Sequence, residues 1–130
     1  MVNSNTEDIL YEGSCYRILY CKGAKKSLEQ AMSHVSPSSK QRQFKIRLML
    51  QIKRLADGNR LSKENFPQEG NLPDGKKFNA FKRIPIRGYC WKSSKYPNTY
   101  FISHFIYKDQ QKLNRNDTDK VCKNWKQIEK

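Results

Sequence analysis

Acidic side chains are scarce in this 130-residue chain, where 12 Asp and Glu stand against 26 Lys and Arg, giving a net charge of +14 and an isoelectric point near 9.8. The few carboxylates are scattered, which disfavours nuclease chemistry built on a pair of acid-held metal ions. No run of about 18 apolar residues occurs, so the sequence offers no membrane-spanning helix and no membrane partner is expected. The N-terminal MVNSNTEDILYEG lacks the charged-then-apolar order of a secretory signal, and the expected location is the cytoplasm. The four cysteines, Cys15, Cys21, Cys90 and Cys122, show neither C-x-x-C spacing nor a Cys/His cluster. They read as reduced thiols packed like small hydrophobes rather than as a zinc site or a disulfide framework. A nucleophile-elbow serine, a phosphate-cradling glycine loop and an H-E-x-x-H helix are all missing, as are internal repeats and low-complexity tracts.

What the chain does have is aromatic residues and positive charge. Hydrophobic residues make up only 36% and mean hydropathy is −0.94, yet seven Tyr, six Phe and two Trp each bring a large buriable surface. The expected organisation is an acidic, mobile lead-in over residues 1–13 followed by one domain over residues 14–130. A surplus of charge this large favours a polyanionic partner, nucleic acid or an acidic protein.

Residues Cys15 to Cys21, bounded by Gly13 and Gly23, read as a first strand. Ala24 to Val35 carries Leu28, Ala31, Met32 and Val35 at helical spacing. A break at Ser36-Pro37-Ser38-Ser39 leads to a second helix, to about Ala56, with Phe44, Leu48, Ile52 and Leu55 inward. Together they predict a helical hairpin. Lys40, Arg47 and Arg54 recur every seven residues and share an outward face, as a solvated surface or as a contact for a polyanion. Asn59 to Gly75 reads as a long loop. Three strand candidates follow, near Phe78–Ile86, Gly88–Lys92 and Thr99–Tyr107, the last two as an antiparallel pair. A closing helix from about Arg115 is capped by Asn114, with Asp117 at its positive end and Thr118, Val121, Cys122, Trp125 and Ile128 inward. The fold class is α+β: a small antiparallel sheet with an N-terminal strand, a helical hairpin on one face and a C-terminal helix.

Regular alternation along Thr99–Tyr107 puts Tyr100, Ile102, His104 and Ile106 on one face and Phe101, Ser103, Phe105 and Tyr107 on the other. Sequence alone leaves open which face is core, and whether His104 is a structural or a functional imidazole. Around this strand lie Lys82, Arg83, Arg87, Lys92, Lys108 and Lys112, interleaved with Tyr89, Trp91, Tyr96 and Tyr107. Guanidinium forks suit phosphate and flat rings suit unstacked bases, the combination that binds single-stranded RNA. A basic site without metal can cut RNA, because the 2′-hydroxyl beside each phosphate is a built-in nucleophile that needs a base, a cation and an acid.

The block Phe81-Lys82-Arg83-Ile84-Pro85-Ile86-Arg87-Gly88-Tyr89-Cys90-Trp91, followed by Ile102-Ser103-His104-Phe105-Ile106-Tyr107-Lys108-Asp109-Gln110-Gln111-Lys112-Leu113 and a terminal helix, resembles the RelE/ParE superfamily of toxin–antitoxin toxins, in its HigB-like branch. The likeness spans about residues 14–130, with the specific motif confined to 81–113; His104 and Phe105 are adjacent here where the family spaces them by one. It implies a small α+β toxin of RelE type, commonly an endoribonuclease without metal or cofactor that cuts messenger RNA at the ribosome and is neutralised by an acidic antitoxin. Carried over by position, Arg87 would clamp the scissile phosphate, Lys82 and Arg83 would hold its neighbours, Lys108 would stabilise developing charge, and His104 or Tyr107 would move protons. Tyr89, Trp91, Lys92, Lys112, Arg47 and Arg54 would extend the RNA surface. Other superfamily members poison DNA gyrase or lack activity, so a non-enzymatic inhibitor and an inactive nucleic-acid-binding module are the alternatives.

Overall fold

The computed structural model describes residues 6–108 and 114–130. In chain order the elements are β1 (Thr6–Glu12), β2 (Arg17–Cys21), α1 (Ala24–Met32), a 3-10 turn (Ser38–Lys40), α2 (Gln41–Ala56), β3 (Gln68–Asn71), β4 (Lys77–Arg83), β5 (Ile86–Lys92), β6 (Thr99–Tyr107) and α3 (Arg115–Glu129). Six strands form one sheet in the order β1-β2-β6-β5-β4-β3. The α+β class holds, but the sheet is mixed: β2 runs parallel to β6 while the other pairs are antiparallel. A parallel pair needs a long crossover, and here the chain passes through both helices and three strands before returning beside β2.

The sheet is covered on both faces. Leu28, Ala31 and Met32 of α1 and Leu48, Ile52 and Leu55 of α2 bury against Ile18, Phe81, Ile86, Cys90, Ile102 and Phe105. On the other face Val121, Trp125 and Ile128 of α3 bury against Leu19, Phe78, Tyr89, Trp91 and Phe101. Each helix shows the 3.6-residue stripe that the sequence carries, and α3 begins where Asn114 accepts the Asn116 backbone N–H. The turn into α1 is made by Gly23 at φ +87°, a left-handed conformation that a Cβ disfavours. All four cysteines are free thiols, with Cys21 and Cys90 in the core and Cys15 exposed. Among the described residues no helix is long and apolar enough to cross a membrane.

Three expectations need correction. The acidic segment expected to be a mobile lead-in contains β1, because the backbone ladder to β2 and a hydrogen bond from the Tyr11 hydroxyl shared between the two Asp57 carboxylate oxygens outweigh its weak strand composition. The segment read as loop contains β3, whose Gln68, Glu69, Gly70 and Asn71 have little strand propensity of their own and pair with β4. The third correction lies in β6, where a bulge between the pairs Tyr89↔His104 and Cys90↔Ile102 sets Ser103 outside the ladder. Alternation therefore switches at Ser103. Ile102 and Phe105 pack under α1 and α2, while Phe101 and Ile106 pack under α3 with His104, the partner of Tyr89, on their side.

Glu129, at the end of α3, ties that helix to the end of β5 and the turn that follows it. Its carboxylate accepts from Trp91 Nε1 (3.0 Å), the Ser93 hydroxyl (2.7 Å) and the backbone N–H groups of Ser94 (3.0 Å) and Lys95 (2.9 Å). Glu129→Ala is expected to cost about 2 kcal/mol, since it strands the N–H of a fully buried tryptophan. A urea titration checks this, and Glu129→Gln, which keeps one acceptor, should recover part of the loss.

Candidate nucleic-acid interface

Two polar neighbourhoods meet at the end of the sheet where β4 turns into β5. On the α3 face, register places Lys82 opposite Arg87 and Arg87 opposite Ile106, with Tyr89 opposite His104 one step along. Arg87 and Tyr89 are fully buried and His104 is 2% exposed. The His104 ring is held at both nitrogens, Nδ1 by the Ser103 hydroxyl at 2.8 Å and Nε2 by the Asp117 carboxylate at 3.0 Å. Asn124 donates to the same hydroxyl at 2.8 Å, so α3 grips the bulge from two positions. The Tyr89 ring lies 5.3 Å from that of His104. Burial, reinforced by the charge of Asp117, pushes the Tyr89 phenol up to about 12 against the opposing pull of Arg87, so it stays a neutral hydroxyl. Glu69 of β3 completes the group; burial raises its carboxyl above the ordinary range although Arg87, Lys82 and Lys108 all pull it down.

Several residues expected to touch RNA therefore sit in the core. Arg87 and His104 stand on adjacent strands, opposite Ile106 and Tyr89 respectively, and both are buried, His104 against Asp117 of α3, so neither presents its side chain to a substrate. Tyr89 and Trp91 are likewise fully buried and offer no platform for bases. The physical reason is that β5 is a central strand covered on both sides, so alternation exposes neither of its faces. Lys92 is exposed at the far end of β5, over the Tyr16 ring at 5.2 Å, about 20 Å along the strand from Ile86. Lys112 lies outside the described residues.

The open surface is on the α2 side. A cleft of about 700 Å³ is lined by Lys40, Gln43, Phe44, Arg47, Glu64, Asn65, Lys82, Arg83 and Ile84. Four cationic residues and one acid line it, Lys82 at the end of β4 also lying within reach of Glu69, beside a half-buried aromatic ring. No family model, curated protein or solved structure matches this chain. The interface has to be read from its own geometry.

Arg83, Ile86 and Tyr107 stand side by side across β4, β5 and β6, the outer two about 10 Å apart by the usual strand spacing. Tyr107 is 43% exposed and its ring lies 5.4 Å from that of His34, just beyond α1. Lys108 follows, its backbone N–H donating to Pro85 O at the β4–β5 turn. Of the expected residues, Lys82, Arg83, Arg47, Tyr107 and Lys108 thus gather near one end of the sheet, with Arg54 two helical turns beyond Arg47. Sequence reasoning missed His34, Gln43, Phe44 as a cleft residue, Gln51 and Asn65. The seven-residue recurrence of Lys40, Arg47 and Arg54 was the signal on α2 that pointed to this side, alongside Lys82 and Arg83 on β4. Among the described residues no three His, Cys, Asp or Glu side chains converge as metal ligands.

Proposed function

We propose that this protein is a toxin of RelE/ParE type that binds single-stranded messenger RNA in the α2–β4 cleft and cleaves it without metal, at the ribosome, under the control of an acidic antitoxin. The observation that carries the reading is the cleft itself: Lys40, Arg47, Lys82 and Arg83 around one open groove, with Phe44 and Ile84 as apolar contacts for bases. The element order supports it, since β2, the two helices, the β4–β6 meander and the closing α3 follow the order that the resemblance implies, with β1 and β3 as additions.

In this reading the chemistry belongs to accessible groups. A 2′-oxygen attacks the adjacent phosphorus, its proton passing to a base, while the P–O5′ bond breaks and the 5′-oxygen takes up a proton. The products are a 2′,3′-cyclic phosphate and a 5′-hydroxyl. Tyr107 and His34 are the exposed proton carriers, Lys82 and Lys108 the cations for the phosphorane, Arg83 the holder of a neighbouring phosphate, and Arg87 and His104 shape the sheet end from beneath.

The test is incubation of purified protein with free messenger RNA in the presence of a chelator, and with messenger RNA on translating ribosomes in magnesium buffer. Expected are fragments with cyclic-phosphate ends, and a fall of at least about tenfold in cleavage rate for Tyr107→Phe combined with His34→Ala. Intact RNA under both conditions would sink the nuclease reading. One feature favours the gyrase-inhibitor alternative: Ile46 and Leu50 on α2 are 56% and 54% exposed among cations, a surface suited to protein. On the first reading that surface is where the acidic antitoxin docks; a supercoiling assay separates the two.

A further inference from the structure

Beside the cleft lies a smaller pocket of about 100 Å³ whose chemistry is unusually incomplete. Arg47 and Arg54, two turns apart on α2, face Arg83 at the end of β4, with Gln51, Leu61 and Asn65 between them. None of the three arginines is in an ion pair with a carboxylate among the described residues. Gln51 is nine-tenths buried, and its amide NH₂ is fully used, donating to Asn65 O at 2.7 Å and Lys82 O at 3.2 Å. That fixes the side chain with its carbonyl oxygen, Oε1, buried and lacking any partner. Arg83 Nε is buried and without a partner as well. The pocket therefore carries convergent guanidinium charge, and in its wall lie one orphaned donor and one orphaned acceptor, both covered in the free protein and each costly to leave unmade.

A bare phosphate diester satisfies the donors and leaves the Gln51 acceptor empty, because it carries no proton to give. A ribose-phosphate satisfies both: phosphate oxygens accept from the guanidinium forks, and the 2′-hydroxyl next to them donates to Gln51 Oε1. We infer that the Arg47–Arg54–Arg83 pocket is a ribonucleotide subsite in which Gln51 reads the 2′-hydroxyl, so that the protein selects RNA over DNA at a point separate from the reacting phosphate. The pocket shares Arg47, Asn65 and Arg83 with the larger cleft, so one strand can run through both. This inference rests on the RNA-binding reading and adds its sugar specificity.

The experiment is fluorescence anisotropy of the full chain with an oligoribonucleotide and with a deoxyribonucleotide of the same sequence, uridine replaced by thymidine, at fixed salt. RNA is expected to bind about fivefold tighter, and one 2′-deoxy substitution in an otherwise ribose strand should remove most of that preference. Arg54→Ala should weaken both strands alike and flatten the salt dependence by about one phosphate contact. Gln51→Met should bring the two affinities together; the single-deoxy strand on the unaltered protein asks the same question if that variant fails to fold. Equal affinity for RNA and DNA, or an Arg54→Ala protein that binds both as before, overturns the subsite. Cleavage is scored separately: RNA-selective binding without cleavage defeats the nuclease reading and keeps the subsite, and cleavage without sugar selectivity does the reverse.

Discussion

Arg87→Ala is expected to lower folding stability by about 3 kcal/mol, seen as a fall of about 10 °C in melting temperature, before any question of activity arises. The side chain is fully buried on a central strand, between Lys82 and Ile106 in the ladder and beside Tyr89. Truncation opens a cavity on the α3 face and removes the cation that does most to hold down the half-buried Glu69 carboxyl. That last effect gives the loss a pH signature. Glu69 already titrates above the ordinary carboxylate range in the folded protein, and without Arg87 it titrates higher still. A raised folded pKa means that the carboxyl's contribution is intact at low pH, where it is protonated in both states, and is lost as pH rises through the folded value. The gap in melting temperature between wild type and Arg87→Ala should therefore be wider at pH 7 than below about pH 4. A gap that does not change with pH would show that Glu69 and Arg87 are uncoupled.

The same geometry changes what an inactive Arg87→Ala protein means. As a phosphate clamp Arg87 would lose activity with its fold intact; as a buried strut it loses both together. Arg87→Met, which keeps most of the volume while deleting the charge, separates packing from electrostatics, and Arg83→Ala is the informative variant for phosphate, since Arg83 lines the open cleft.

What the sequence made legible was what local periodicity controls. The stripes of Leu28, Ala31 and Met32, of Leu48, Ile52 and Leu55, and of Val121, Trp125 and Ile128 each place a helix correctly because a packed helix needs only its own face. The Asn114 cap was equally plain, since it is made within three residues. The strands β1 and β3 were not legible, because Thr6–Glu12 and Gln68–Asn71 become strands through neighbours distant in sequence. The Ser103 bulge is invisible to any argument from alternation, and it alone decides that His104 joins Tyr89 rather than Ile102. Arg87 was misjudged for a related reason. Its carboxylate neighbour, Glu69, lies in a stretch read as loop, and the lid over its face, α3, arrives from the far end of the chain. An arginine in an apolar strand signals either a partner or a ligand, and only the tertiary fold tells which. By contrast, the exposed cations of α2 needed no tertiary information, which is why Arg47 and Arg54 survive as surface residues while the aromatic platforms on β5 do not.

Replacing Lys40, Arg47, Lys82 and Arg83 together by glutamine is expected to have the largest effect on binding, and the effect should be one of salt dependence before anything else. A single-stranded polyanion releases counterions as its phosphates are neutralised, and the logarithm of affinity falls with the logarithm of salt at about 0.7 per phosphate contact. Four contacts in the cleft account for a slope of about 2.8, so between 50 and 200 mM salt the wild-type protein should lose about 50-fold more affinity for a single-stranded RNA than the variant does. None of the four is fully buried, and the helix and strand that carry them are held by Leu48, Ile52 and Phe81 beneath, so the variant should melt within a few degrees of wild type. A second set, Lys120, Lys123 and Lys126 of α3 with Lys130 at its C-terminal cap, carries the same charge on the opposite face of the sheet and serves as the control. If net charge alone drives binding, both quadruple variants lose the same slope, because each removes four of the chain's positive charges. If the cleft is where the strand lies, only the first does, and the α3 variant keeps a wild-type salt dependence with at most a small uniform loss of affinity from the reduced long-range field. Equal slopes for the two variants would place no strand in the cleft and would remove the ground on which both the nuclease reading and the sugar-reading pocket stand.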